Sequence, residues 1–154
     1  VIESGSRVAV KDLLLSREGD LANGMDFFTI TLPSGRKLYY ANPGTRENSW
    51  GSQVITYKSS NQTSGKWETT DTYGGKLTEN VVQAIARDCL AVSIKRLTEK
   101  GFKIVMHIHD EVVIEAPMET SVDEVCEIMG QDIEWAEGLI LRADGFETSY
   151  YKKD

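Results

Sequence analysis

The chain has 154 residues, of which 40% are hydrophobic and 27% are charged. This composition is typical of a folded globular protein and excludes intrinsic disorder, and no apolar run approaches the roughly 20 residues that a membrane span needs. The net charge of −7 argues against binding nucleic acid through a broadly basic surface, whereas acidic clusters are what Mg²⁺ sites require.

The first 25 residues are predicted to form a short lead-in. Apolar residues within 7–17 mix two periodicities, and we assign this stretch to a helix. Residues 18–24 contain two glycines, an aspartate and an asparagine, which is typical of a loop. A hairpin should follow, because the alternating runs 26–32 and 36–40 are separated by the turn sequence Pro33-Ser34-Gly35.

Residues 42–73 extend this hairpin into an antiparallel β-meander with long loops. We expect a loop over 42–52, a strand over 53–57, a polar turn over 58–65 and a strand over 66–72. Tyr57 and Trp67 are predicted to pair across these last two strands. A purely structural extension is the simplest interpretation of the block 26–73.

A long helix is predicted over residues 79–100, with Thr78 as its N-cap and Gly101 at the position that ends it. Polar side chains recur at helical spacing along its first half. These residues are Lys76, Asn80, Gln83 and Arg87. A solvated face is the plainer interpretation, and a row of hydrogen-bond donors along a nucleic-acid backbone or minor groove is the alternative.

The stretch 102–117 carries the most chemistry. Two β-rich runs, 102–108 and 112–116, flank His109, Asp110 and Glu111, so the pattern predicts a hairpin with an acid pair at its tip. Bare carboxylates are costly to bury, which places the pair at an accessible turn. The natural use of such a pair is to hold a divalent cation beside a phosphate, although a polar turn without any ligand is common.

The remaining residues predict a second helix and a last strand. Ser121 and Glu124 have capping-box spacing ahead of an amphipathic helix over 122–137, and residues 139–143 read as a strand. Cys89 and Cys126 fall in different predicted helices and are expected to be free thiols. The predicted fold class is therefore α+β, a single partial domain over 1–154 with an antiparallel sheet packed on one side by two helices and the β-meander ahead of it.

Three blocks in this order resemble the C-terminal palm segment of family A DNA polymerases, the DNA polymerase I class, and the phage and prophage members in particular. The segment IVMHIHDEVVIEAP (104–117) resembles motif C, and TYGGKLTENVVQAIARDCLA (72–91) is similar to the helix that precedes it. LPSGRKLYY (32–40) resembles the hairpin between fingers and palm. The resemblance covers residue 26 to the end and implies template-directed addition of dNMP from dNTP to a primer 3′-hydroxyl.

The resemblance also implies roles for single residues. Asp110 matches the palm aspartate that binds the catalytic Mg²⁺ ions, and Glu111 matches the adjacent acid that tunes the metal site. His109 matches a residue that contacts the primer-terminal backbone, and Gln83 a glutamine that touches the minor groove. Weaker matches are implied for Arg87 and Lys76, as general backbone contacts, and Asn80 is a further candidate for DNA binding. Many relatives have asparagine where this chain has Glu79, which leaves the match of Asn80 open.

Two-metal nucleotidyl transfer needs more than this chain offers. We find no stretch that resembles motif A or the fingers helix, and no exonuclease or thumb, so the resemblance implies a piece of a longer cytoplasmic polymerase of a bacterial or phage-infected cell. Its partners would be primer–template DNA, dNTP and the remaining polymerase, and the piece alone is expected to be inactive. The alternatives are a non-catalytic split-polymerase subunit, a prophage remnant, or a metal-dependent phosphohydrolase, which the two histidines alone disfavour.

Overall fold

Eight β-strands and two α-helices follow one another in the described part of the chain, residues 1–20 and 23–152 of a computed structural model. The α+β class is thereby confirmed. The chain divides into two compact units, Val1–Val82 and Gln83–Asp154, and its organisation as a single partial domain stays a prediction. Two residues of the predicted loop 18–24 and the last two of the chain lie outside the described residues.

The first unit contains a six-stranded antiparallel sheet in which every strand pairs with its neighbours in the sequence. The strands are β1 (Val8–Val10), β2 (Leu13–Glu18), β3 (Phe27–Thr31), β4 (Lys37–Glu47), β5 (Gln53–Ser60) and β6 (Trp67–Thr72). The predicted meander is confirmed and is extended by two strands at its N-terminal side.

Alternation along the central strands builds the core of this sheet. Phe28 and Ile30 on β3 and Tyr40 on β4 are buried, and the Tyr40 ring lies 5.1 Å from the ring of Tyr57 on β5. Because side chains alternate between the two faces of a strand, these residues share one face, which the aromatic contacts hold together across three strands.

The predicted helix over 7–17 is wrong, because this stretch forms the β1–β2 hairpin. Val10 pairs with Leu13, so the chain reverses through Lys11 and Asp12 alone, with Lys11 at a φ of 52°. Asp12 is a common turn residue, but a lone Lys-Asp pair without glycine, proline or asparagine is a weak turn signal, and leucines are good helix formers, which is why the local pattern favoured the wrong structure.

The predicted loop over 42–52 is mostly strand. β4 continues to Glu47 past a register shift between Ala41 and Gly44, where Asn42 has a φ of 47°. An asparagine that tolerates the left-handed region allows a bulge instead of a chain reversal. The predicted Tyr57–Trp67 pair is also wrong, since Tyr57 faces Thr70 and Trp67 faces Ser60.

The long helix α1 (Gly74–Glu99) begins five residues before the predicted start. The Thr78 hydroxyl donates to the Gly74 carbonyl at 2.9 Å within the helix, so Thr78 is not its N-cap. The C-terminal end agrees with the prediction: Gly101 has a φ of 89° and its N–H bonds the Thr98 carbonyl, while the Phe102 N–H bonds the Leu97 carbonyl. This pair of bonds is a Schellman motif, which stops the helix and turns the chain into the next strand.

The second unit contains the rest of α1, the two-stranded antiparallel sheet of β7 (Lys103–Ile108) and β8 (Glu111–Glu115), and α2 (Val122–Met129). Its buried apolar residues include Leu97, which is fully buried, Ile128 and Ile133. The Arg96 guanidinium donates to the carbonyls of Gln131 and Asp132, which ties α1 to the chain after α2.

Three predictions for the second unit are wrong: the end of the second helix, the capping box at Ser121 and the strand over 139–143. The second helix ends at Met129, well before residue 137, because Gly130 follows and only a single 3₁₀ turn, Glu134–Ala136, forms beyond it. Ser121 precedes α2 as predicted, but its side chain makes no capping hydrogen bond. Residues 139–143 form no strand: among the described residues no neighbouring strand pairs with them, and we name residues 139–152, which form neither helix nor strand, the irregular segment.

Both cysteines are free, as predicted. Cys89 is buried in α1 and Cys126 is half-buried in α2. Burial is the main cause that raises the pKa of each thiol above its ordinary value.

Candidate functional site

The β7–β8 hairpin positions the predicted acid pair. Ile108 pairs with Glu111, so the turn between the strands consists of His109 and Asp110 alone. His109 adopts a φ of 49°, in the left-handed region that a tight two-residue hairpin turn uses. The Asp110 side chain is exposed at the tip, which agrees with the predicted accessible turn. Glu111 was predicted in the same turn but is instead the first residue of β8, next to the tip, because it pairs with Ile108.

The two adjacent acids differ in their surroundings. Within residues 1–20 and 23–152, the Asp110 carboxylate has no hydrogen bond or ion pair. Glu111 is half-buried, and its Oε1 accepts a hydrogen bond of 3.0 Å from the hydroxyl of Tyr151. Desolvation first, and then this carboxylate, raise the pKa of Tyr151, so the phenol keeps the proton that it donates.

The tip offers oxygen donors of the kind that Mg²⁺ prefers, but only part of a complete set. No group of three or more His, Cys, Asp or Glu side chains suited to a metal ion occurs among the residues that the structure describes. Mg²⁺ commonly binds through one or two carboxylates while water and substrate phosphates complete its six ligands. Asp110 and Glu111 therefore fit a partial Mg²⁺ site, and Mg²⁺ binding stays a prediction.

Arg87 of α1 and His107 of β7 form a contact that the sequence pattern did not reveal. The two terminal guanidinium nitrogens of Arg87 lie 3.4 Å from Nδ1 and from Nε2 of His107. Equal distances to both ring nitrogens place the guanidinium against the imidazole. Both side chains are exposed, so the other N–H donors of Arg87 are accessible to solvent. The contact lies close to the turn, because His107 precedes His109 by two residues.

The other residues of the predicted polar row differ in their partners. Asn80 donates its side-chain amide to the hydroxyl of Tyr40 at 3.1 Å, which fastens the start of α1 to the sheet of the first unit. Lys76 forms an ion pair with Glu79 at 3.0 Å. Asn80 thus has a structural partner, and contacts of either residue with nucleic acid stay predictions.

Gln83 lies one helical turn before Arg87 on α1, and both side chains are exposed. Residues four apart on a helix share a face, so Gln83, Arg87 and the His107 imidazole lie on the same side of the second unit. The structure thereby brings together part of the predicted row with β7, whereas Lys76 and Asn80 belong to the first unit.

A cavity of about 320 Å³ lies in the first unit and contains none of the predicted site residues. Its lining includes Arg17, Glu18 and Asp26. The Arg17 guanidinium is already bonded to both carboxylate oxygens of Asp26, at 2.8 and 2.7 Å. The chemistry of the candidate site is therefore on an open hairpin, where a large ligand can approach, and not in this cavity.

Sequence reasoning missed two contributors, Tyr151 and His107 as the partner of Arg87. Tyr151 lies 40 residues from Glu111 in the chain, and His107 lies 20 residues from Arg87. Neither contact can be predicted from periodicity. The Tyr151–Glu111 bond depends on where the irregular segment lies relative to the hairpin, and the Arg87–His107 contact depends on where α1 lies relative to it.

The chain is similar to a known polymerase over most of its length. A stretch of 127 residues, 81% of the chain, is 52% identical to the DNA polymerase of Bacillus phage SP02. The chain spans about a fifth of that protein, because the match covers 19% of its length. No family profile matches the chain, and no solved structure matches it.

None of the helices in the described part of the chain is both long enough and apolar enough to cross a membrane.

Proposed function

We propose that this chain is a part of a DNA-directed DNA polymerase, which adds dNMP from dNTP to a primer 3′-hydroxyl under the direction of a template. The observation that carries this proposal is the 52% identity to the DNA polymerase of Bacillus phage SP02. Identity at this level over 127 residues indicates common descent, and a shared segment of a polymerase implies a shared task. Its setting is then the cytoplasm of a bacterial or phage-infected cell.

Within the polymerase, we assign the chain to the family A palm and the β7–β8 hairpin to motif C. The support is the sequence IVMHIHDEVVIEAP together with an exposed aspartate at a two-residue turn. An accessible carboxylate on a rigid strand pair is what a metal-dependent phosphoryl transfer requires, because the acid must meet both the ion and the substrate.

The chain's own residues then have distinct tasks. Asp110 and Glu111 would hold Mg²⁺, which when bound activates the attacking hydroxyl and neutralises charge on the phosphates. His109 faces the primer-terminal backbone from the same turn. Gln83 and Arg87 contact the primer–template, with Arg87 oriented by its contact with His107.

Recognition of DNA by an acidic chain requires that donors be placed locally. The net charge is −7, so the chain does not attract DNA as a whole, and non-specific attraction has to come from other parts of the polymerase. Lys76 can contact a phosphate only if it gives up its ion pair with Glu79, and Asn80 only if it gives up its hydrogen bond to Tyr40. We therefore rank Arg87 and Gln83 above Lys76 and Asn80 as DNA contacts.

The remaining parts of the polymerase, motif A, the fingers and the thumb, supply the other partners of the reaction. Two metal ions about 4 Å apart need more carboxylates than the hairpin tip offers. A non-catalytic subunit of a split polymerase or a prophage remnant would share the same residues, so the test has to separate them from a catalytic segment.

The test is primer extension by the natural polymerase, in one chain or several, that contains these residues. Asp110→Asn is expected to lower kcat by a thousandfold or more and to leave primer–template binding within about threefold, because a metal ligand acts in the reaction and not in docking. Asp12→Asn is the matched control, since Asp12 occupies the same second position of the exposed two-residue turn between β1 and β2. Unchanged kcat in Asp110→Asn would refute the catalytic assignment and leave the non-catalytic alternative.

A further inference from the structure

The irregular segment is held against α2 by a close backbone contact. A Cβ built on Gly145 would lie 3.0 Å from Cγ1 of Val122 and 3.5 Å from Sγ of Cys126, so the backbone of the segment packs directly on α2. A Cβ at this position would be closer to Val122 than ordinary van der Waals contact, so the Val122 side chain would have to move by a few tenths of an ångström to accommodate it. The segment therefore has a fixed point six residues before Tyr151.

The end of the irregular segment is also folded locally. The Thr148 hydroxyl donates to the Tyr150 carbonyl at 2.9 Å, and the ammonium of Lys152 lies 5.2 Å from the centre of the Phe146 ring. These contacts are short in sequence and restrict the directions that Tyr151 can take. The hydrogen bond between Tyr151 and Glu111 therefore comes from a segment whose conformation is restricted by its own contacts.

The choice of acid is specific. The Tyr151 hydroxyl reaches Oε1 of Glu111 at 3.0 Å, while the exposed Asp110 carboxylate next to it has no such partner within the described ranges. Glutamate has one more rotatable bond than aspartate, so its carboxylate needs an external contact to keep one position. A phenol is a rigid donor with few rotatable bonds of its own. In the part of the chain that the structure describes, the second carboxylate oxygen of Glu111 has no protein donor.

We propose that Tyr151 is a positioning residue that holds the Glu111 carboxylate in one conformation at the hairpin tip, ready to take a divalent cation beside Asp110. The inference rests on the proposed function for its purpose, and it adds to that function a residue from outside the hairpin. Tyr151 itself does not touch the ion. Its contribution is to remove the cost of ordering Glu111 when the ion arrives.

The experiment uses the 154-residue chain, labelled with ¹³C and ¹⁵N, and its Tyr151→Phe and Tyr150→Phe variants. Phenylalanine keeps the ring and removes only the hydroxyl. Tyr150 is the matched control, because it is the adjacent tyrosine, it is 70% exposed and its hydroxyl makes no bond to either acid. Couplings between Hα and Hβ report the rotamer of Glu111, whose carboxylate signal is assigned with Glu111→Gln. Titration with Mn²⁺ then reports metal binding by the broadening of signals from residues 109–111.

We expect one dominant Glu111 rotamer in the wild type and in Tyr150→Phe, and averaged couplings in Tyr151→Phe. The Mn²⁺ concentration at half-broadening should rise at least threefold in Tyr151→Phe, on the order of the effect of one lost hydrogen bond. An unchanged Glu111 rotamer, or an unchanged Mn²⁺ midpoint, in Tyr151→Phe overturns the positioning role. Absence of Mn²⁺ broadening at the tip of the wild type overturns the claim that Asp110 and Glu111 of this chain take a divalent cation, whereas the polymerase assignment fails separately if Asp110→Asn leaves kcat unchanged, so the two failures are distinguishable.

Discussion

Replacing Leu97 with alanine tests whether α1 and α2 form the core that supports the hairpin. Leu97 is fully buried, and its carbonyl accepts the Phe102 N–H that leads the chain from α1 into β7. Removing three carbon atoms from a closed site costs the lost transfer free energy and leaves a cavity. We expect the free energy of unfolding to fall by about 3 kcal/mol, which is more than a hundredfold in the folded-to-unfolded ratio.

Urea unfolding measured by tryptophan fluorescence suits this test. Trp135 is half-buried in the second unit, whereas Trp50 and Trp67 in the first unit are 87% and 62% exposed, so the main change in emission should report the second unit. Ile140→Ala is the control: Ile140 is 79% exposed, and its truncation should change the free energy by less than about 0.5 kcal/mol. A loss below about 1 kcal/mol in Leu97→Ala would refute the reasoning, because it would show that the Leu97 site is not a closed part of the core.

Three further predictions concern the turn, pH and activity. Gly101→Ala should destabilise the second unit by about 1 kcal/mol in the same urea assay, because a φ of 89° strains any residue with a Cβ, and an equal stability would contradict the Schellman end of α1. The guanidinium of Arg17 lowers the pKa of Asp26, so the stability that this pair adds, about 1 kcal/mol, is present above pH 4 and is lost as the pH falls through the lowered pKa. The difference in unfolding free energy between wild type and Asp26→Asn should therefore shrink over that range. A difference that is constant from pH 6 to pH 2 would exclude the ion pair as its source. The 154-residue chain alone should show no primer extension with Mg²⁺, because the two acids at its hairpin tip do not complete a two-metal site, and measurable extension would contradict the assignment to a partial site.

Strong local signals explain what the sequence predicted correctly. The β7–β8 hairpin was predictable because two runs of β-branched residues enclose a short polar turn, and local pairing needs no distant partner. The end of α1 was predictable because Gly101 combines a break in the apolar pattern with freedom at positive φ. Both features depend on residues within a few positions of each other.

The errors arose where distant contacts decide the local structure. The leucines at 13–15 are compatible with a helix, and it is pairing with β1 and β3 that makes them a strand. Residues 139–143 have the composition of a strand, but a strand also needs a neighbour, and the described part of the chain provides none. For the same reason the partner of Glu111 could not be predicted: Tyr151 reaches it through the packing of Gly145 on α2, which no local pattern encodes.

The chain makes the same reversal twice. Lys11-Asp12 and His109-Asp110 are both two-residue connections whose first member has a φ near 50°, at 52° and 49°. An aspartate in the second place is therefore something this backbone accepts even where no chemistry is proposed, and the first place is satisfied by lysine. The turn geometry alone does not require a histidine in the first position, because Lys11 occupies it in the other turn. It does not require an acid after the aspartate either, because Leu13 occupies the position that corresponds to Glu111. The two turns differ in the residues on either side of the aspartate, which are His109 and Glu111 in one and Lys11 and Leu13 in the other. Exchanging Lys11-Asp12-Leu13 with His109-Asp110-Glu111 would therefore move the proposed metal-binding side chains to the other hairpin while the backbone of the turn stays the same.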